Sequence, residues 1–326
     1  MHNKHNDLVS VIMPVYNGEP FLQAAIASIV EQTYQNIELL VLDDGSTDSS
    51  SEIVLQFTQK DPRIKLISRP NRGLGATLNE LISLASSEYI ARMDSDDISE
   101  LNRIETQLSL IKSDKNCVMT GSQIEFITPN STTSAFPMPL EHSEIRKGLL
   151  QARFPICHPS IMFRKSAATK IGGYSVLGAG EDLDFFLKMS EIGKICNTKE
   201  KLFKYRIQPN SLSIKKAREL NKAYSFAIHN ANLRNKKEHE LSQEEYSIIW
   251  NNRGLYKRIR DSIHNFSERV YRQSITLRSD GLLISSYIYL LLAALLRPTT
   301  TAARIKHVIK ERLSTIKTNP SNPRNF

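Results

Sequence analysis

The sequence is short of cysteine, has a single tryptophan and contains no apolar run of the roughly 20 residues that a membrane span needs. Its three cysteines, Cys117, Cys157 and Cys196, are irregularly spaced, which excludes a disulfide scaffold and a zinc site and indicates ordinary buried thiols in a reducing compartment. The first ten residues lack the apolar segment of a secretory signal, so we expect a cytoplasmic protein.

The longest apolar run, residues 281–298, is too short to span a bilayer comfortably. Two alternatives are open for this run. It is either a buried helix of a small C-terminal bundle or a helix lying in the membrane interface between the flanking residues Arg278 and Arg297.

Charge divides the chain into two parts. Residues 201–326 contain 24 Lys and Arg against 9 Asp and Glu, whereas residues 1–200 contain 19 against 25, within a total net charge of +9. An acidic front part disfavours a nucleic-acid groove there, and a basic back part favours partners that bear phosphate groups, namely lipid, nucleotide or nucleic acid. We predict a first domain over 1–214 and a basic helical region over 215–326 that contacts a membrane surface.

The first part of the chain alternates apolar, β-rich runs with segments of helical periodicity. Strands are predicted at "LVSVIMPVYN", "NIELLVLDD", "RIKLIS" and "EYIARM". Later segments predict strands near 117–126 and 158–165, a polar loop over 128–139 and a helix over 179–193. This alternation predicts an α/β fold with a mostly parallel sheet flanked by helices, in which ligands bind beyond the carboxyl ends of the strands.

The stretch "ARMDSDDISE" crowds acidic residues at the end of the fourth predicted strand. Asp94 and Asp96, on alternate residues, can share a hard divalent cation, Mg²⁺ or Mn²⁺, which in turn can bridge the phosphates of a nucleotide. Asp97 and Glu100 have a simpler interpretation, because acidic residues stabilise the N-terminus of a following helix.

A second acidic pair, Asp43 and Asp44, follows the second predicted strand. A carboxylate at this place can accept hydrogen bonds from a ribose hydroxyl or a base N–H group. Capping of the Gly-Ser-Thr-Asp turn that follows is the alternative.

Three motifs, taken in order, resemble glycosyltransferase family 2. They are "VSVIMPVYNGEPFLQAAIASIVEQTYQNIELLVLDDGSTDSS", "NRGLGATLNELISLASSEYIARMDSDD" and "GAGEDLDFF". The resemblance runs from about Leu8 to Ser213 and implies the GT-A fold, a Rossmann-like sheet that binds a nucleotide sugar. It also implies a nucleotide site lined by Pro14, Tyr16, Glu19, Asp43, Asp44 and Arg72.

The same resemblance implies the chemistry of the site. Asp94 and Asp96 would form the metal motif, with Asp96 as the direct ligand of Mg²⁺ or Mn²⁺. Asp182, next to Glu181, would be the general base, and a positioned carboxylate does suit that role because a hydroxyl is a poor nucleophile at neutral pH. Capping of a helix is the alternative role for Glu181 and Asp182.

Two further residues match less specific family positions. His158 would lie near the acceptor, although a single His before a strand is as often structural. Arg206 would hold the diphosphate ahead of a loop that closes over the donor, since a planar guanidinium suits phosphate. A role on a surface loop is the alternative for Arg206.

The chain lacks the Gln-x-x-Arg-Trp motif of processive relatives, so we expect the transfer of one sugar. The resemblance implies that this transfer proceeds with inversion. The expected donor is a UDP-sugar, the expected acceptor is a glycan or lipid-linked glycan of a surface polysaccharide, and no nucleic-acid partner is expected. A sugar-phosphate nucleotidyltransferase is the enzymatic alternative, although "PVYNGEP" is neither Gly-rich nor basic. A non-catalytic basic adaptor for membranes or nucleic acid is the alternative of another class.

Overall fold

The chain forms two compact units in the computed structural model. The described residues are 7–128, 131–135, 137–176, 180–207, 217–279 and 281–296. The first unit, here called the sheet unit, comprises the described residues of 1–127, 132–206 and 219–248, and the C-terminal unit comprises those of 128–131, 207–218 and 249–326.

Nine strands within the described residues form one mixed sheet. They are β1 (Val9–Val15), β2 (Ile37–Asp43), β3 (Ile64–Ser68), β4 (Tyr89–Arg92), β5 (Ile98–Ser99), β6 (Cys117–Thr128), β7 (Ser131–Ser134), β8 (Met162–Arg164) and β9 (Lys194–Arg206). The strand order is β3-β2-β1-β4-β8-β6-β9-β5, and β7 pairs with β6. Strands β3, β2, β1 and β4 are parallel, as are β6 and β9, whereas β8 and β5 are antiparallel to their neighbours.

Helices cover both faces of the sheet, as the continuous apolar strands predict. They are α1 (Glu19–Val30), α2 (Ser50–Thr58), α3 (Leu74–Leu84), α4 (Arg103–Ser113), α5 (His142–Leu149), α6 (Lys165–Lys170), α7 (Glu181–Ile192) and α8 (Ala217–Asn235). Along β1, Val11 and Met13 pack with Leu22 and Ile26 of α1, whereas Ile12 packs on the opposite face with Leu78 of α3. The predicted α/β architecture is therefore confirmed, with β1 buried along its whole length.

The second half of the sheet departs from the sequence interpretation. The 13-residue strand β9 was not predicted, because its polar "NTKEK" segment hides the strand pattern. The segment predicted as a loop over 128–139 contains β7, and residues 129, 130 and 136 of that segment lie outside the described residues.

From Glu219 onward helix α8 belongs to the sheet unit, although the sequence assigned it to the basic helical region. Its Ala227 and Ala231 are buried in the core, and Arg234 forms an ion pair with Glu191 of α7 (2.6 Å). The division at residue 214 stays a prediction.

The remaining helices are α9 (Gln243–Asn251), α10 (Leu255–Ser279) and α11 (Leu283–Leu296). Helix α11 covers most of the apolar run, whose last two residues lie outside the described residues. None of the helices in the described ranges combines the length and the apolar character that crossing a membrane requires.

Candidate active site

Three parallel strands end side by side at one edge of the sheet. Val15 of β1 is paired with Asp43 of β2, and Ile12 of β1 with Arg92 of β4. Pro14 is buried within β1, whereas Tyr16, just past the strand, is 54% exposed. The sheet thus brings the predicted nucleotide-binding and metal-binding residues to one edge, where ligands bind in open α/β sheets.

The loops after β1 and β2 are joined by hydrogen bonds between residues 17–19 and 46–50, which we call the loop latch. Three successive backbone N–H groups donate across it: Asn17 to Ser46 Oγ (2.9 Å), Gly18 to Ser50 Oγ (2.9 Å) and Glu19 to Asp48 Oδ2 (3.1 Å). In return, Ser49 N donates to Glu19 Oε2 (3.0 Å) and Thr47 N to Asn17 Oδ1 (2.8 Å). Glu19, predicted to line the nucleotide pocket, thus helps to fix the shape of this edge.

Asp44 anchors the loop that follows β3. Its carboxylate accepts hydrogen bonds from Arg72 N (2.8 Å) and Gly73 N (2.9 Å) and forms an ion pair with Arg69. The backbone of Arg72 makes this contact, while Arg72 as a whole is exposed. Asp44 is only 4% exposed, so its structural role is to hold the loop that follows β3.

Asp43 closes the turn after β2. It is 4% exposed, its Oδ1 accepts a hydrogen bond from Ser46 N (2.9 Å), and its Oδ2 accepts one from the Ser51 hydroxyl. This is the Asx-type turn capping that the sequence left open as an alternative.

Asp94, Asp96 and Asp97 form an acid cluster whose carboxylate oxygens lie within 4.8 Å of one another. Asp97 is 1% exposed, and its Oδ2 has no hydrogen-bond partner among the described residues. Burial, followed by the charges of Asp96 and Asp94, raises the pKa of Asp97 well above its usual range. An all-oxygen donor set with an unpaired buried oxygen fits a hard divalent cation such as Mg²⁺ or Mn²⁺.

The assignment of Asp97 to the N-terminus of the next helix was wrong. Strand β5 follows Asp97, and α4 begins only at Arg103. Glu100 instead forms an ion pair with Lys204 of β9 (2.7 Å).

Arg206, the last residue of β9, lies against the acid cluster. Its backbone N donates to Asp97 Oδ1 (2.7 Å), and its Nε donates to the carbonyl oxygen of Asp96 (2.7 Å). The guanidinium lies over the ring of Phe21, 4.1 Å from the centroid. The structure therefore places Arg206 beside the acid cluster, while the predicted closing loop after it falls in 208–216, outside the described residues.

Arg92 is a buried cation that pairs with the acid cluster and acts electrostatically on the predicted base. It is 2% exposed, and its Nη2 forms an ion pair with Asp94 Oδ1 (2.7 Å). Its Nε and Nη1 have no hydrogen-bond partner among the described residues. The negative charges of Asp94, Asp97 and Glu181 raise the pKa of Arg92 against the effect of burial, so the guanidinium stays charged.

Asp182 lies in the first turn of α7, which starts after Gly180 in a left-handed conformation (φ 88°). Its Oδ1 accepts a hydrogen bond from Leu183 N (2.8 Å). Burial, followed by the charge of Glu181, raises the pKa of Asp182 to about 7. Burial also raises the pKa of Glu181. A carboxyl with a pKa near neutrality is suited to accept and release a proton at the pH of a cell.

The side chains of His158 and Tyr174 contact each other. His158 Nε2 lies 3.0 Å from Tyr174 Oη, and the edge of its ring meets Phe186 at a centroid distance of 5.5 Å. Burial, followed by the charge of Arg92, lowers the pKa of His158 well below its usual range, so the imidazole is neutral. A neutral ring in this packing is consistent with the structural alternative for His158.

The sequence interpretation missed Arg69, Arg92 and Tyr174. Arg92 carried a signal, because a cation inside the apolar strand "EYIARM" needs a buried acid to pair with. Arg69 and Tyr174 had none, since their partners come from other segments: Arg69 also pairs with Glu80 of α3 (2.6 Å), and Tyr174 contacts His158, from which β8 and α6 separate it along the chain.

Comparisons with known proteins agree on one family. A family model described as "Glycosyl transferase family 2" matches residues 10–172. EpsE of Bacillus subtilis (strain 168), whose name describes a glycosyltransferase, is 34% identical over 229 residues, which is 68% of this chain and 79% of that protein. Chondroitin synthase of Escherichia coli is 29% identical over 233 residues, covering 71% of this chain but 33% of the synthase.

Solved structures share the fold. A crystal structure of TarS residues 1–349 from S. aureus has a TM-score of 0.57 at 17% identity and covers 97% of this chain and 93% of that one. The mannosyltransferase PcManGT from Pyrobaculum calidifontis, in complex with GDP-Man and Mn²⁺, has a TM-score of 0.54 at 15% identity and covers 95% of this chain and 81% of that one. Identities this low show the fold alone, a GT-A-like sheet with flanking helices.

Proposed function

The chain belongs to glycosyl transferase family 2, and from that premise we propose that it transfers one sugar, with inversion, from a UDP-sugar to an acceptor hydroxyl. The observation that supports the proposal most directly is the position of Asp182. Its carboxyl, with a pKa of about 7, shares the neighbourhood of Arg92 with the acid cluster. A base and a leaving-group site side by side are what a direct displacement needs.

Asp182 is the proposed general base. As the acceptor oxygen bonds to the anomeric carbon, its proton passes to the Asp182 carboxylate, and the bond from that carbon to the diphosphate oxygen breaks. Attack from the face opposite the diphosphate inverts the anomeric centre. Arg92 holds Asp94 in place (2.7 Å) and keeps positive charge between the two groups of acids.

Asp96, Asp94 and Asp97 are the residues that would hold Mg²⁺ or Mn²⁺. When bound, the cation supplies charge stabilisation to the departing diphosphate. Arg206 adds a second positive group at this place, because its Nε is held by the Asp96 carbonyl (2.7 Å) and its guanidinium by Phe21. The Mn²⁺ in the PcManGT complex supports this assignment.

The loop latch and Asp44 border the proposed nucleotide pocket, which the buried Pro14 and the exposed Tyr16 would line. Structures of TarS with UDP and with UDP-GlcNAc support a uridine nucleotide, and the GDP-Man complex of PcManGT makes GDP the alternative. The nucleotide and the sugar are both open to direct measurement.

The proposed acceptor is a glycan or lipid-linked glycan of a surface polysaccharide. The chondroitin synthase relative supports a polysaccharide, and the basic back part of the chain supports an acceptor presented at the inner face of a membrane. Family membership disfavours both the nucleotidyltransferase and the non-catalytic adaptor.

Thermal melting with a panel of nucleotide sugars, with and without Mn²⁺, tests the donor and the metal together. A bound ligand raises the melting temperature by mass action, so the true donor should stabilise the protein without an acceptor present. Asp96→Asn should abolish the Mn²⁺-dependent part of the stabilisation. Donor binding that is the same in chelator as in Mn²⁺ would reject the role of the acid cluster.

Asp182→Asn tests the base. Loss of a general base should lower the turnover of the identified donor by about 100-fold or more while its binding is preserved. Asp184→Asn is the matched control, because Asp184 lies in the same helix and pairs with Lys188 (2.8 Å). Equal turnover in the Asp182 variant and in this control would disprove the assignment.

A further inference from the structure

We infer that helices α10 and α11 form a hairpin that binds the surface of an anionic lipid bilayer through the exposed apolar face of α11. The inference deepens the proposed function, on which it rests for the lipid-linked acceptor, by naming the residues that would meet the membrane.

Helix α11 turns its large apolar side chains outward. Ile284, Ile288, Leu291 and Leu295 are exposed by 80%, 60%, 63% and 73%, and their spacing of four, three and four residues places them on one face. At 1.5 Å per residue this face is about 17 Å long. Tyr287, which is 58% exposed, adds an aromatic ring of the kind that favours the membrane interface. A continuous apolar surface of this size needs a partner.

Among the side chains of the hairpin that the structure describes, the buried ones are small, apart from Val270 of α10. Ser267 and Ser274 of α10 are buried, as are Ser286 and Ala293 of α11. Ser286 Oγ donates to the Ser274 carbonyl oxygen (2.8 Å), and Ser267 Oγ donates to the Ala293 carbonyl oxygen (3.4 Å). A helix pair in water buries its Leu and Ile side chains and exposes its hydroxyls, whereas this hairpin does the opposite. Its small-residue packing matches that of helices in lipid.

The charge of the C-terminal unit distinguishes between the candidate partners of the apolar face. Residues 249–326 contain 14 Lys and Arg against 4 Asp and Glu, a net charge of +10, whereas residues 281–296 contain no charged residue. Two copies of this surface would bring like charges together, and nucleic acid offers nothing to cover an apolar face. An anionic bilayer matches both features, with headgroups for the basic residues and acyl chains for the apolar face.

The hairpin would lie in the interface plane. Helix α11 has 14 residues, fewer than the roughly 20 that span the hydrocarbon core. Helix α10 also exposes an apolar stripe, since Leu255, Ile259, Ile263 and Phe266 are 71%, 50%, 41% and 51% exposed. The alternative of a buried helix for residues 281–298 is therefore wrong for the described part of this run.

Vesicle flotation with the full chain tests the inference. We expect binding to vesicles of phosphatidylcholine mixed with phosphatidylglycerol and little binding to phosphatidylcholine alone. The double variant Ile288→Glu, Leu291→Glu should bind at least about 100-fold more weakly, at about tenfold for each aliphatic side chain kept out of the interface. Ile248→Glu, at a residue of α9 that is 64% exposed, is the matched control and should bind like the parent chain.

A second double variant, Ile288→Lys, Leu291→Lys, separates insertion from charge attraction. It adds positive charge, so binding equal to that of the parent chain would overturn insertion of the α11 face. Light scattering addresses a second copy as the partner: a dimer that the glutamate variant dissociates would also overturn the inference. Turnover of a water-soluble donor should be unchanged in every variant, which distinguishes failure of this inference from failure of the proposed transferase.

Discussion

Replacing Glu181 by Gln should move the pH dependence of sugar transfer to lower pH. Asp182, the proposed base, has a pKa of about 7, and the charge of Glu181 is the second cause of that elevation after burial. With this pKa about 9% of the base is ionised at pH 6 and about 91% at pH 8, so kcat/KM should rise about tenfold between them. Removing the neighbouring negative charge lowers the pKa of Asp182, because the ionised form is no longer repelled.

The size of the change is readily measured. A fall of about one pKa unit in the Gln variant would reduce the ratio of kcat/KM at pH 8 to that at pH 6 from about 10 to about 2. The assay is initial-rate transfer or donor hydrolysis across pH 5.5–8.5, about one and a half units on either side of the pKa, at constant ionic strength. Asp184→Asn should leave the midpoint of the pH profile unchanged, since the Asp184 carboxylate that it removes is paired with Lys188.

Replacing Arg92 should shift the pKa of Asp182 in the opposite direction. Its positive charge lowers the pKa of Asp182, so Arg92→Gln should move the midpoint to higher pH. A midpoint that stays at its original pH in the Glu181 variant, or shifts the same way in both variants, would refute the assignment of the titrating base.

Two further predictions concern stability. Asp182→Asn should raise the free energy of unfolding by up to about 4 kcal/mol above pH 7 and have no effect below about pH 3.8, because the raised pKa costs stability as pH rises from the unfolded value to the folded one. Urea unfolding at pH 3.5 and pH 8, on either side of that window, checks this, and an equal effect at both would contradict it. Asp44→Ala should cost about 2–4 kcal/mol and weaken UDP binding, because it leaves the Arg69 guanidinium without its buried partner and frees Arg72 N and Gly73 N. Thermal melts with and without UDP measure both effects, and unchanged melting would show that the loop holds without Asp44.

The sheet edge was predictable because local patterns encode it. Asp43 and Asp94 each follow a short apolar run, and strands of this kind pair in parallel with their carboxyl ends together. The four strand predictions therefore sufficed to identify the ligand-binding edge, and no long-range contact had to be known. The family motifs, read in order, predicted the general type of chemistry from the same segments.

The electrostatic centre of the site was not predictable in the same way. Arg92 acquires its role only when α7 brings Glu181 and Asp182 beside it from almost 90 positions further along the sequence. Asp97 was misassigned for a related reason: its backbone partner, Arg206, arrives on β9, a strand that the polar pattern concealed. Contacts across such separations depend on the whole topology and leave no periodic trace in either segment.

The loop latch ties together the two loops of the proposed nucleotide pocket, so that they form one structural unit. Each loop supplies both donors and acceptors to the other, as Asn17 and Glu19 do with Thr47 and Ser49. A change in one loop therefore leaves unsatisfied groups in both. Grafting the nucleotide preference of a relative onto this chain should require both loops to be exchanged together, and these positions should co-vary among natural homologues.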